Sequence, residues 1–275
     1  MLPIPVKRQM IYFWHFRRFI TRNPETFLEK IQWRTLYDRR DLIAIGGDKV
    51  FMKEYASSVS NVMIPKTLWA GEDIGPIMDV DWPCDWVLKP RSGSGYAAFG
   101  SGRLSNSGIS PEVLEKWRSD DHYSVQGVWA YGQAEPGYIL EQRIPTDDGR
   151  SPDDYRFFVF GGRVRVIQID TPRTEGVRRR FYSENWEPFT VTQGGKQLGP
   201  IQDRPESLGD MVRIAEEIGE LFDFIRVDLY HTRDGIWFGE ITPYPTGGVG
   251  KFSDPAFDRM LGGWWKLPKL AEVCP

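Results

Sequence analysis

The sequence predicts an α+β protein built mainly from antiparallel sheets, and three stretches carry that reading. Residues 222–250, FDFIRVDLYHTRDGIWFGEITPYPTGGVG, read as two strands joined by a tight turn. Ile225, Val227 and Leu229 alternate with Arg226, Asp228 and Tyr230, the period of two that marks a strand with two distinct faces. Residues 155–159 and 164–170 form a second hairpin across Gly161-Gly162. Residues 208–222 carry the apolar stripe of an amphipathic helix leading into the first hairpin.

The first hairpin contains the chemistry. Ile236, Phe238, Glu240 and Thr242 are expected on one face of its second strand. A three-residue loop, Arg233-Asp234-Gly235, puts glycine where φ must be positive. That register sets Asp228 opposite Glu240 and Arg226 opposite Thr242. Like charges opposed across a ladder destabilise a sheet, so the pair implies a cation between them. Mg²⁺ takes carboxylate oxygens beside substrate phosphates and is the natural candidate. An edge hairpin with solvated acids is the plain alternative.

Composition narrows the class. The 275 residues, 40% hydrophobic and 27% charged, suit a soluble globular protein rather than a disordered one. A net charge of −3 gives no electrostatic drive toward nucleic acid or an anionic membrane as the main partner. Cys84 and Cys274 make no metal-spacing motif, which fits a reducing cytoplasmic setting. The aromatic N-terminus is broken by Lys7, Arg8, Arg17 and Arg18, too often for a spanning helix, and no small-residue cleavage site follows. It is expected to form a helix packing its aromatic face on the body, with membrane-surface attachment as the alternative.

The remaining elements follow in order. Asn23-Pro24-Glu25-Thr26 marks a turn and helix start, and Gly46-Gly47 closes the first helical region. Asp48 is a good N-cap for a helix bearing Lys49 and Lys53 one turn apart. Residues 61–70 read as a strand and 71–81 as a loop. Residues 86–89 are a short strand ending in Lys89, which runs into Pro90-Arg91-Ser92-Gly93-Ser94-Gly95-Tyr96. Small residues there let backbone N–H groups close on an anion. The lysine precedes the glycines, so this is not a P-loop. A polar helix is expected at 111–117, a strand at 138–141 and an acidic loop at 145–154. Residues 171–183, with Arg173 and Arg178-Arg179-Arg180, read as basic and irregular.

The order of these stretches resembles the ATP-grasp enzymes, and in particular the TupA-like family named for teichuronopeptide biosynthesis. The stretches that carry it are residues 23–37, 48–55, 86–95, 139–144, 154–164, 181–186 and 222–250 with Lys251-Phe252. The resemblance implies an ATP-grasp fold, two antiparallel-sheet lobes clasping ATP after a short helical N-terminal region. The divisions would be residues 1–47, 48–144 and 145–275. It also implies that Lys53 and Lys89 contact the nucleotide phosphates, with Ser92, Gly93, Ser94 and Gly95 as the loop over them. Glu141 would meet the adenine amino group, and backbone from Gln142 to Ile144 would complete the hinge. Asp154, or its neighbour Asp153, would hold the ribose hydroxyls. Asp228 and Glu240 match the metal ligands, and Thr242 stands where relatives often carry Asn. Arg226 matches the arginine that steadies the transferred phosphoryl group. Arg173, Arg180, Thr246, Gly247 and Gly248 would hold an anionic substrate. The implied activity is an ATP- and Mg²⁺-dependent carboxylate–amine ligase working through an acyl phosphate, on an amino acid, a peptide or a uronic-acid sugar of a surface polymer. A kinase of a sugar hydroxyl and a nucleotide-binding module without turnover are the alternatives.

Overall fold

Helices come first because the opening segments are rich in helix starts. The computed structural model describes residues 2–120, 127–146, 153–171 and 176–273. α1 (Ile4–Phe16), α2 (Phe27–Tyr37) and α3 (Asp41–Ile45) precede every strand. α2 begins in a capping box, with Thr26 accepting from the Glu29 N–H and the Glu29 carboxylate accepting from the Thr26 N–H. Farther along α2, buried Arg34 donates to the Phe224 carbonyl at 2.8 Å, the Pro243 carbonyl at 3.2 Å and Asp223 at 2.7 Å. This one side chain fixes the start of one strand of the central hairpin against the exit of the other.

α4 (Lys49–Val59) starts at Asp48, whose carboxylate accepts from the N–H groups of Val50 and Phe51. The same carboxylate accepts from Arg91 at 2.8 Å and from the Glu135 N–H at 3.2 Å. The cap therefore ties the first turn of α4 to the chain just beyond Lys89. Met52 and Ala56 of α4 sit in the larger of the two apolar cores.

The smaller sheet runs in the order β1-β4-β2-β3, all antiparallel, from β1 (Thr67–Gly71), β2 (Trp82–Pro90), β3 (Ala98–Gly102) and β4 (Tyr138–Gln142). Trp86, Leu88 and Leu140 pack with Leu114 and Trp117 of α5 (Pro111–Ser119). By alternation, Lys89 and Glu141 share the other face.

The larger sheet runs β11-β10-β5-β6-β7-β8, with β9 parallel to β7. Its strands are β5 (Asp154–Phe160), β6 (Arg163–Thr171), β7 (Arg178–Ser183), β8 (Pro188–Phe189), β9 (Gln197–Leu198), β10 (Phe224–Thr232) and β11 (Gly235–Thr242). The amphipathic helix α6 (Leu208–Gly219) covers the face that carries Val159, with Gly219 close against that side chain. The other face is apolar at one end, where Phe158, Phe160 and Phe224 meet Phe27 of α2. α7 (Pro255–Trp264) and α8 (Leu270–Val273) close the chain. The protein is thus α+β with two mainly antiparallel sheets, as its patterns predict.

Two local expectations need correction. Residues 178–183 are a strand rather than irregular chain, because Arg179 satisfies its charge on Asp170 across the sheet. The central hairpin closes on two residues, Arg233-Asp234, since Thr232 pairs directly with Gly235. A bulge at Gly239 then shifts the register, so Asp228 still faces Glu240 and Arg226 still faces Thr242. A Cβ at Gly239 would lie 2.9 Å from both the Asp228 carbonyl and the Tyr230 ring, so glycine is required there. The bulge also turns Phe238 into the core, on the face opposite Glu240 and Thr242.

Replacing Asp48 with alanine removes the cap and leaves Arg91 buried without its main partner. Denaturant unfolding should show a loss of about 3–5 kcal/mol, the cost of breaking one side of a buried pair; a change below about 1 kcal/mol would mean the Asp48–Arg91 link does not hold α4 to the smaller sheet.

Candidate active site

The two sheets meet around a cavity of about 470 Å³ whose walls are mostly charged or polar. One wall comes from the helix start and the smaller sheet. Lys49, Lys89 and the loop Gly93-Ser94-Gly95-Tyr96 line it. Gly93 and Gly95 have φ of 79° and 88°, a backbone that side chains resist. The loop is held at its far end, where the Tyr96 hydroxyl donates to Asp120 at 2.6 Å and its ring stacks on Trp117.

Lys49 Nζ donates to the Gly93 carbonyl at 2.8 Å. Burial pulls its ammonium down to about 8, with Lys89 pushing the same way and Glu240 opposing. Lys53, one turn later, turns from the cavity toward the Thr67 hydroxyl at 2.9 Å and Glu141 at 3.1 Å. Lys89 pairs with the other oxygen of Glu141. Burial alone would raise the Glu141 carboxyl, but Lys89 and Lys53 together hold it below its usual range.

The opposite wall is the larger sheet. Arg226 donates to both oxygens of Asp228 at 2.7 and 2.6 Å, to Glu240 at 2.9 Å and to the Thr242 hydroxyl at 3.0 Å. Its guanidinium is the cation that the opposed carboxylates require. Burial pushes the Asp228 carboxyl up to about 7 against the pull of Arg226, and Asp154 adds to the rise. Burial also opposes ionisation of Glu240, but Arg226, Arg156 and Lys49 outweigh it and hold that carboxyl low. Arg156 on β5 bonds Asp154 and reaches Asp170 at 3.1 Å and Asp228 at 3.4 Å. Arg179 then grips Asp170 at 2.6 Å. Alternating charge therefore crosses five strands, from Glu240 on β11 to Arg179 on β7.

The third side is the turn Pro245–Gly248, of which Thr246 and Gly247 face the cavity. Thr246, Gly247 and Gly248 have φ of 53°, 59° and 69° in succession. A β-branched residue there is strained and held by its surroundings. The Gly247 carbonyl accepts from Arg8 at 2.7 Å, and the Gly248 carbonyl accepts from Gln32 at 2.7 Å.

The structure thus brings together Lys89, Gly93, Ser94, Gly95, Asp154, Arg226, Asp228, Glu240, Thr242, Thr246 and Gly247 on one cavity. Ser92 lines an adjoining depression with Tyr96 and Asp120. Glu141 faces two lysines, Gln142 and Ile144 follow it off the cavity wall, and Gly248 is buried against Ile31 and Gln32. Asp153 accepts from Gln202 at 3.1 Å. Arg180 does not line the cavity; its guanidinium holds the carbonyls of Gly199, Pro200 and Phe189. Arg173 lies outside the described residues. Sequence reasoning missed Lys49, Arg156, Tyr131 and Tyr230, all of which line the cavity. Arg156 and Tyr230 alternate in phase with Asp154 and Asp228, a signal that was present in the strands.

A small and a large antiparallel sheet closing on such a cavity are the architecture of the ATP-grasp fold. The chain belongs to the TupA-like ATP-grasp family, whose model matches residues 29–266. No curated protein matches it. Among solved structures it is similar to a D-alanine–D-alanine ligase from Bacillus anthracis, with 13% identity over 75% of this chain and 59% of that one at a TM-score of 0.45. It is also similar to an L-amino acid ligase from Bacillus licheniformis, with 14% identity over 76% and 43% and a TM-score of 0.43. A third is the ATP-grasp ligase PsnB complexed with a minimal precursor, at 14% identity over 78% and 59% and a TM-score of 0.40. The chain spans less than two thirds of the length of each, between 43% and 59%.

The low position of the Lys49 ammonium has a measurable consequence. Because it lies below the unfolded value, the group costs stability where it is charged, and that cost fades as pH rises from about 8 toward 10.5. A bound polyphosphate favours the ammonium, so ATP binding near pH 8.5 should take up a proton. Titration calorimetry in two buffers of different ionisation heat should show that uptake in the parent protein and not in Lys49→Met. Equal heats in both buffers would mean that no bound phosphate reaches Lys49.

Proposed function

We propose that the protein is an ATP-dependent carboxylate–amine ligase. The observation that carries this reading is the cavity itself, with Lys49, Lys89 and the glycine loop on one wall facing Asp228, Glu240 and Arg226 on the other. Cations and backbone N–H groups suit a polyphosphate, and opposed carboxylates suit the divalent ion that accompanies it.

In this account Lys49 and Lys89 hold the phosphates, and Gly93-Ser94-Gly95 closes over them. Lys53 acts at one remove, by sharing Glu141 with Lys89 and so orienting that lysine. The adenine would extend beyond the cavity toward Glu141 and the chain to Ile144, which do not line it, and Asp154 or Asp153 would meet the ribose. Asp228, Glu240 and the Thr242 hydroxyl all meet the Arg226 guanidinium, at 2.6, 2.9 and 3.0 Å. Carboxylate and hydroxyl oxygens suit Mg²⁺ in kind, and Glu240, its side chain 39% exposed, is the more open of the two carboxylates. Among the described residues no group of three or more His, Cys, Asp or Glu could hold a metal ion by itself, so water and phosphate oxygens would have to complete the shell of a Mg²⁺ bound here. Bound by Asp228, Glu240 and Thr242, Mg²⁺ would offset the charge that develops on the transferred phosphoryl group.

The reaction has two steps. An oxygen of the substrate carboxylate attacks the γ-phosphorus, the bond to the β-phosphate oxygen breaks, and an acyl phosphate and ADP result. An amine then attacks the acyl carbon, phosphate leaves, and the ammonium proton is released as the amide forms. In this reading Arg226 steadies charge in both steps. The strained Thr246-Gly247 turn borders the substrate end. The family's name points to an amino acid, peptide or uronic-acid carboxylate of a surface polymer, and the substrate pool is chosen on that basis.

Purified protein with Mg²⁺-ATP, pooled amino acids and uronic acids, and hydroxylamine should release ADP and form a hydroxamate. Asp228→Asn and Glu240→Gln should each lower turnover by about 100-fold or more, the scale of losing one fixed electrostatic partner in a transition state. A phosphorylated sugar without hydroxamate would replace the ligase with a kinase. Full function of both variants in vivo would replace it with a nucleotide-binding module.

A further inference from the structure

The N-terminal helix is apolar on two faces, and the body covers one of them. Inward, Tyr12 is fully buried, Phe16 stacks on it with ring centroids 4.4 Å apart, and Arg8 reaches Gln32 and the Gly247 carbonyl. Outward, Val6, Met10, Phe13 and Trp14 recur at helical spacing and are exposed, with Leu2 before the helix and Phe19 after it. Trp14 is 72% and Phe19 69% exposed. The Phe13 and Phe19 rings stack 5.1 Å apart, so the outer patch is already assembled.

The formal charge along this segment has one sign. Residues 1–24 contain Lys7, Arg8, Arg17, Arg18 and Arg22 and not one Asp or Glu, in a chain whose net charge is −3. The Arg17 guanidinium lies 5.3 Å over the Trp14 ring, at the left-handed residue that ends α1. Arg18 meets Glu29 at 3.0 Å yet keeps its side chain 53% exposed, and Arg22 is exposed.

We propose that α1 docks the protein on an anionic membrane surface, with Val6, Met10, Phe13, Trp14 and Phe19 entering the headgroup boundary and Arg17, Arg18 and Arg22 meeting lipid phosphates. Aromatic rings flanked by arginines favour that boundary, and basic side chains are drawn to an anionic leaflet. A helix of 13 residues interrupted by Lys7 and Arg8 lies on a bilayer rather than across it. Among the described residues no helix is long and apolar enough to cross one. Charge also argues against a second copy as occupant, since a two-fold contact would set like cationic patches against each other. Arg8, on the covered face of this helix, joins it to the turn that lines the cavity. The docking stands independently of the ligase reading.

The test is co-sedimentation of the full chain with vesicles of phosphatidylglycerol and phosphatidylcholine, and with phosphatidylcholine alone. The protein should bind the anionic vesicles, bind less as salt rises, and leave the neutral ones largely alone. Trp14→Ser/Phe19→Ser should lower partitioning by about tenfold or more, with the melting temperature unchanged because both side chains are exposed. Arg17→Glu/Arg22→Glu should give a similar loss with the apolar patch intact, and this variant decides if the first fails to fold. Absence of binding to anionic vesicles would overturn the proposal, as would equal binding by both variants. A dimer in solution that the aromatic variant dissociates, without vesicle binding by the parent, would assign the face to self-association instead.

Discussion

Asp228 and Glu240 face each other across β10 and β11, and much of the larger sheet is arranged to permit that. Two carboxylates in this position repel, and burial adds to the cost of keeping both ionised. Arg226 meets both, and Arg156 backs Asp228 from the neighbouring strand. Arg156 in turn requires Asp154 and Asp170, and Asp170 requires Arg179. Arg226, Asp228, Asp170 and Arg179 are buried and Arg156 and Asp154 half-buried, so removing one strands its neighbours. The ribbon keeps four strands in register with β11 while leaving Glu240 open to the cavity.

That constraint was legible in the sequence, though by a partly mistaken route. Alternation along 225–230 and 240–242 gave the right facing pairs. The three-residue loop was wrong, and so was the unbroken strand after it. A two-residue turn and a bulge at Gly239 offset each other by one residue each. A glycine inside a strand is the known sign of a bulge, but nothing local says that the turn has shortened to compensate.

The other misses have similar causes. Lys49 and Lys53 sit one turn apart on α4, so spacing cannot tell which lines the cavity and which faces a buried acid. Only the packing of α4 against β11 and the position of Glu141 decide it. Arg179 and Arg180 look alike in a basic run, yet adjacent residues of a strand point to opposite faces. One completes the charge ribbon, and the other ends on backbone carbonyls. The aromatic N-terminus was expected to pack against the body, and half of it does so through Tyr12 and Phe16. Composition could not foresee a second, uncovered apolar face on the same helix.

The geometry joins these parts into one site with cations above, opposed carboxylates below and a strained turn at the side. Its central claim is that a substrate carboxylate oxygen attacks ATP. The most direct test is to supply the accepted substrate with ¹⁸O in both carboxylate oxygens and analyse the phosphate released with the amide. The account predicts one labelled oxygen in each phosphate and one retained in the amide. Unlabelled phosphate beside labelled product would contradict it, because no acyl phosphate would then have formed.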